Sequence, residues 1–274
     1  MKTIVIVFFF QLLISSVPAQ EKYVQAVSGR IRLQEVTGVL SHEHIVTNFI
    51  GADSVKIPRD NRKAIQTILP HLLELKQSGV NVLFECTPSS IGKNVTLLKE
   101  LSKRSGIHIV TNTGLYAAVD KKYLPSFAYT EDYTLLAKRW INDFKNGING
   151  TGIRPGFIKI GVGDGPIDSI EEKLLLAAII TSRETGMAIG VHTGDFEAAW
   201  SEYKLVVKEN YNPEKLIWIH AQNANNVQRK QLAEKGVWIS LDGVNEKTIE
   251  EYIDAIVFLK SAGLLHRLLI SHDD

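Results

Sequence analysis

Apolar residues in this chain come in short runs, at positions 36–40, 80–84, 107–112, 157–161, 188–191, 216–219, 237–241 and 268–271. The runs are continuous and rich in Val, Ile and Leu. A strand with one wet face alternates apolar and polar positions, so continuous runs predict strands buried on both faces, as in a parallel sheet. Between most of them lie segments with helical spacing, such as 63–77, 130–146, 170–185, 226–235 and 248–261. Gly79, Gly186, Gly236 and Gly263 close several of these; glycine ends a helix readily before the next strand begins. Eight strands alternating with helices predict an α/β fold closed as a (β/α)8 TIM barrel rather than an open sheet.

The pattern stops early at one end. The eighth run, 268–271, is followed only by residues up to Asp274. The barrel is therefore expected to lack the loop and helix after strand 8, and the domain, residues 20–274, to be C-terminally incomplete. A barrel side left uncovered in this way would encourage pairing into a homodimer. No linker or second domain is visible.

Composition narrows the partners. With 274 residues, 22% charged and a net charge of +1, the chain offers no basic face for nucleic acid. The Lys121-Lys122 pair reads as solvated surface. Residues 1–19 read as a signal peptide: Lys2, an apolar stretch from Ile4 to Leu13, then Val17 and Ala19 as the small residues of a cleavage site after Ala19. That stretch is short for a membrane span, so a secreted or periplasmic protein without a stable membrane span is expected. The single cysteine, Cys86, has no partner for an internal disulfide and reads as a small residue packed in the barrel.

Candidate chemistry gathers at the C-terminal ends of the strand runs, where the active sites of such barrels lie. His42 and His44 in GVLSHEH are two apart and so share one face of an extended strand. His192 ends AIGVH and His220 ends LIWIH. Asp273 follows the last run, with Asp242 in ISLDG as a competitor. Lys159 lies inside the apolar GFIKIGV, where an amine is costly unless paired or chemically altered. It could carry a carbamate, form a Schiff base as in barrel aldolases, or reach solvent with its head. Four histidines, a lysine and an aspartate from separate strand ends form the pattern of a metal centre. Histidine and carboxylate donors suit zinc, manganese, cobalt and iron alike.

The order HEH, GFIKIGV, VHT, IH, SHD resembles the phosphotriesterase-related branch of the amidohydrolase superfamily, from about Thr37 to the end of the chain. The resemblance implies two divalent ions, usually Zn2+. His42, His44 and Asp273 would hold the more buried ion and His192 and His220 the second, with a carbamate on Lys159 bridging both. A metal-bridging hydroxide would be the nucleophile and Asp273 its proton acceptor. Tyr116, in NTGLY, would lie near the pocket and contact substrate. After His220 the chain reads AQNANN, without the acidic and arginine-bearing pattern associated with lactonase and paraoxon-hydrolysing members.

The expectation is an exported binuclear hydrolase cleaving an ester-type bond of a small molecule: lactone, carboxyl ester or phosphotriester. An amide-cleaving or deaminating enzyme with the same centre, and a non-catalytic periplasmic binding protein, are the alternatives. Asn94-Val95-Thr96 and Asn149-Gly150-Thr151 match the glycosylation triplet.

Overall fold

The computed structural model describes residues 22–274; the expected signal peptide, residues 1–19, lies outside them. Two short strands open the chain, β1 (Tyr23–Ala26) and β2 (Gly29–Arg32), paired as an antiparallel hairpin. Then come β3 (Val39–Glu43), α1 (Arg62–Gln77), β4 (Val82–Glu85), α2 (Val95–Ser105), β5 (His108–Val110) and β6 (Asn112–Thr113). The second half runs α3 (Phe127–Thr130), α4 (Tyr133–Asn146), β7 (Phe157–Gly161), α5 (Ser169–Thr185), β8 (Ile189–His192) and α6 (Phe196–Lys208). It ends with β9 (Leu216–Ile219), α7 (Asn226–Ala233), β10 (Trp238–Leu241), α8 (Ile249–Ser261) and β11 (Leu268–Ile270).

The remaining strands pair in parallel, in a three-stranded and a six-stranded sheet. β3, β4 and β5 pair in order, and β6 to β11 pair in order. β5 and β6 are two pieces of one strand parted at Thr111. Hydrogen bonds join β3 and its continuation to the segment from β11 onward. Ser41 Oγ donates to Ile270 O (3.4 Å) and His42 N to Ser271 Oγ (3.0 Å). Asp273 N donates to His42 O (3.2 Å) and His44 N to Asp274 O (2.6 Å). The result is the eight-position α/β TIM barrel that the pattern predicts. β7 is buried at all five positions, which explains its unbroken apolar character.

Local chemistry sets the element ends. Asp168 caps α5 through the N–H groups of Ile170 and Glu171, with Glu171 reaching back to the Asp168 N–H, and Gly186 ends it at φ 78°. The predicted helix 130–146 begins at Tyr133 rather than Thr130, because the Asp132 carboxylate accepts from the Thr134 and Leu135 N–H groups and caps it there; Thr130 closes the short α3. The first strand is displaced from 36–40 to Val39–Glu43: residues 33–35 form a 3-10 turn, and the Asn81 side chain captures the N–H groups of Thr37 and Gly38. The hairpin and the helices α2 and α6 lie outside the segments singled out above.

Three further expectations meet the structure here. Lys121 is not simply solvated: its ammonium lies 2.6 Å from Asp168. Cys86 is fully buried next to β4, and burial raises its thiol pKa far out of the reactive range. Asn94 is buried and caps α2 through Leu97 N–H while donating to Asn61, so that glycosylation triplet is closed off in the folded chain; Asn149 is exposed. Ile270 in β11 is 40% exposed, and among the described residues no helix is long and apolar enough to cross a membrane.

Candidate metal centre

All the strand-end histidines come together at one mouth of the barrel. The rings of His42 and His44 are 5.2 Å apart, those of His42 and His220 5.1 Å, and those of His192 and His220 4.4 Å. The Nε2 atoms of His42, His44 and His220 face Asp273. Asp273 Oδ1 lies 3.3 Å from His42 Nε2 and 3.2 Å from His44 Nε2, and its Oδ2 lies 3.9 Å from His220 Nε2. The Tyr116 hydroxyl is 3.0 Å from His192 Nε2.

Backbone geometry aims two of these groups. His220 (φ 67°) and Asp273 (φ 64°) sit in the left-handed region that side chains other than glycine usually avoid. Such strain collects at functional sites, held by surrounding bonds. His220 leaves β9 by this turn, and its N–H donates to Asp242 Oδ2 at 3.0 Å. Asp273 is held by its neighbours: the buried Glu43 carboxylate accepts from Ser271 Oγ (2.6 Å), His272 N (3.0 Å) and Asp274 N (3.1 Å).

Tyr116 is delivered by glycines. The chain before it passes so close to β7 that a Cβ on Gly114 would meet Lys159 O at 2.1 Å. A Cβ on Gly161 would lie 2.4 Å from the Tyr116 ring. Gly161 thus leaves the gap that the ring fills, 4.9 Å from His192.

Lys159, 1% exposed, stands in the barrel beneath this mouth. Burial lowers its pKa, opposed by the charges of Cys86, Asp273, Asp242 and Glu85. Burial, and then the Lys159 charge, hold His42 and His192 well below their usual pKa and lower His220 as well. Neutral imidazoles keep the lone pairs a cation needs. For Asp273, burial pushes up, but the His44 hydrogen bond and the His42, His220 and His44 rings prevail and bring it to about 2.

The donor set fits divalent cations. Both ring nitrogens of His42 are buried without a hydrogen-bond partner, a cost that a cation at Nε2 would relieve. Two overlapping groups can each converge on an ion: His42, His44 and Asp273, and His42, His220 and Asp242. The first is the set the sequence suggests; the second brings in Asp242, 0% exposed, the competitor to Asp273 at the end of the preceding strand. Glu43, Thr87, whose hydroxyl is 2.8 Å from His44 Nδ1, and Gly161 escape the sequence reading. Glu43 in the HEH triplet carried a signal: its side chain must point opposite to both histidines.

The chain is similar to known proteins in sequence and in fold. The model of the Phosphotriesterase family matches residues 22–274. The chain is 27% identical over 202 residues to an aryldialkylphosphatase of Saccharolobus solfataricus, covering 72% of this chain and 63% of that protein. It is 21% identical to an N-acetyltaurine hydrolase of Danio rerio, covering 91% of this chain and 83% of that one. Among solved structures, an organophosphorus hydrolase from Deinococcus radiodurans shares the fold, with a TM-score of 0.83 at 24% identity, covering 94% of this chain and 82% of that one.

Proposed function

From the premise that the chain belongs to the phosphotriesterase family, within the amidohydrolase superfamily, we propose that it is a metal-dependent hydrolase of small molecules carrying an ester-type bond. The observation that carries this is the convergence of His42, His44, His192 and His220 with Asp273 above the buried Lys159. His42, His44 and Asp273 would hold one divalent ion, zinc by preference, and His192 and His220 the other. Such a pair acidifies water and polarises a scissile carbonyl or phosphoryl oxygen.

The remaining work belongs to the side chains. Asp273, ionised and within 3.3 Å of two imidazoles, is the proton acceptor for the attacking water. Lys159, largely shielded from water, would be carried as a carbamate, its amine having added to carbon dioxide with loss of a proton, and would supply an anionic oxygen donor to the ions in place of a buried amine. Tyr116 walls the mouth beside His192 and contacts the substrate. A lactone, carboxyl ester or phosphotriester is the substrate class. The likeness to a protein named N-acetyltaurine hydrolase keeps amide cleavage as the second reading.

The test combines metal analysis with a panel of lactones, carboxyl esters, phosphotriesters and N-acyl amides, scored by the product released. Near two ions per chain with alcohol or acid release supports the ester reading, and amine release moves it to the amide. A loaded chain that turns over nothing on the panel leaves a binding protein. We propose further that residues 1–19 direct export; a secreted or periplasmic form whose N-terminus reads from Gln20 is the expected result.

A further inference from the structure

Each coordinating ring has two nitrogens, and the outward ones are organised too. His44 Nδ1 meets Thr87. The Nδ1 atoms of His42 and His220 both face one carboxylate oxygen, Asp242 Oδ2, at 3.4 Å and 3.8 Å. We infer that Asp242 is a shared positioning residue rather than an ion ligand: it stands behind one histidine of each ion site and couples their loading. This rests on the binuclear reading above.

Three observations support the assignment. First, Asp242 is already engaged on its own side of the barrel wall. Oδ1 accepts from Ser240 Oγ at 2.8 Å, Oδ2 accepts from His220 N–H at 3.0 Å, its N–H donates to Gln222 Oε1 at 3.1 Å, and its carbonyl accepts from the Tyr252 hydroxyl. Second, Asp242 and Asp273 lie on opposite edges of the same two rings. The Nε2 atoms of His42 and His220 face Asp273, and their Nδ1 atoms face Asp242. An imidazole has one lone pair to give when neutral, so a carboxylate at Nδ1 favours the N–H there and leaves Nε2 free to coordinate. Third, β3, which carries His42, and the turn after β9, which carries His220, are separated in the ring by β10 and β11. Asp242 at the end of β10 reaches both. The Gln222 amide nitrogen, 3.4 Å from His220 Nδ1, is the group that competes for that ring's orientation.

The geometry predicts that losing the Asp242 charge weakens both ions, although neither would be bonded to it. The test is a Zn2+ titration against a competing chelator on the full chain, wild type and Asp242→Asn, with the melting temperature of each apo form. The expected result is a loss of about 10–100-fold in affinity at both ions, with apo forms that melt together. Wild-type affinity at either ion in Asp242→Asn overturns the shared role. If that variant does not fold, Ser240→Ala decides: freeing Oδ1 should cost both ions several-fold, and no change in either overturns the inference. A wild-type chain that binds no divalent ion removes the hydrolase reading and this inference together; a loaded wild type with an unaffected Asp242→Asn removes only the inference.

Discussion

Glu43→Ala is the substitution with the largest expected effect away from the ion-facing atoms. The Glu43 carboxylate accepts three hydrogen bonds from residues 271, 272 and 274, and so binds the segment carrying Asp273 to the strand carrying His42. Removing it leaves the O–H of the buried Ser271 without an acceptor, although its oxygen still accepts from His42 N–H, while the N–H groups of the exposed His272 and Asp274 can turn to water. A buried donor without an acceptor costs about 1–3 kcal/mol, and each charge-assisted bond lost to water somewhat less. The sum is about 2–4 kcal/mol, or a fall in melting temperature of roughly 5–15 °C for a chain of this size. Glu43→Gln keeps the shape and part of the acceptor capacity and should lose about half as much. Thermal melts of both variants, followed by Zn2+ titration, make the assay. Because Asp273 holds its left-handed turn through these neighbours, affinity for the ion at His42 and His44 should fall with stability. An alanine variant that melts within a degree of wild type and binds Zn2+ normally would refute the argument that Glu43 holds this seam.

His192→Ala and Asp273→Ala should each abolish turnover, at least about a thousandfold for a lost ion ligand or proton acceptor; unchanged kcat/KM in both would sink the mechanism. Gly161→Ala places a methyl 2.4 Å from the Tyr116 ring, an overpacking that should cost about 1–3 kcal/mol, read by urea unfolding, and shift KM more than metal content. Lys93 gives a pH signature. Burial lowers its pKa from 10.5 to about 8 against the pull of Glu85 and Asp143. Below pH 8 both folded and unfolded chains keep that proton. Between pH 8 and 10.5 the folded chain sheds it first, so this residue's contribution to stability rises through that window, by on the order of 3 kcal/mol. Urea titrations across the window should show the rise in wild type and not in Lys93→Met; parallel curves would overturn this account of Lys93.

Much of this protein is legible along the chain because the relevant physics is local. Continuous apolar runs such as Phe157–Gly161 follow from burial on both strand faces, and glycines such as Gly186 end helices by their own backbone freedom. Those features place His192 and His220 at strand ends and Lys159 inside a buried strand on local grounds alone. The shift of β3 was not legible, because Asn81, more than forty residues away, decides where that strand begins. The start of α4 is a local matter, since the Asp132 cap is itself a signal along the chain.

By itself the sequence determined the α/β barrel class and the residue types that gather at its mouth, since periodicity and strand ends are properties of neighbouring residues. Only the tertiary structure decided which ring nitrogen faces inward, that Asp242 stands behind two histidines, and that Glu43 grips a segment 228 to 231 positions away. Those facts depend on how a closed ring of strands brings distant residues within hydrogen-bond reach, and no local pattern encodes that distance.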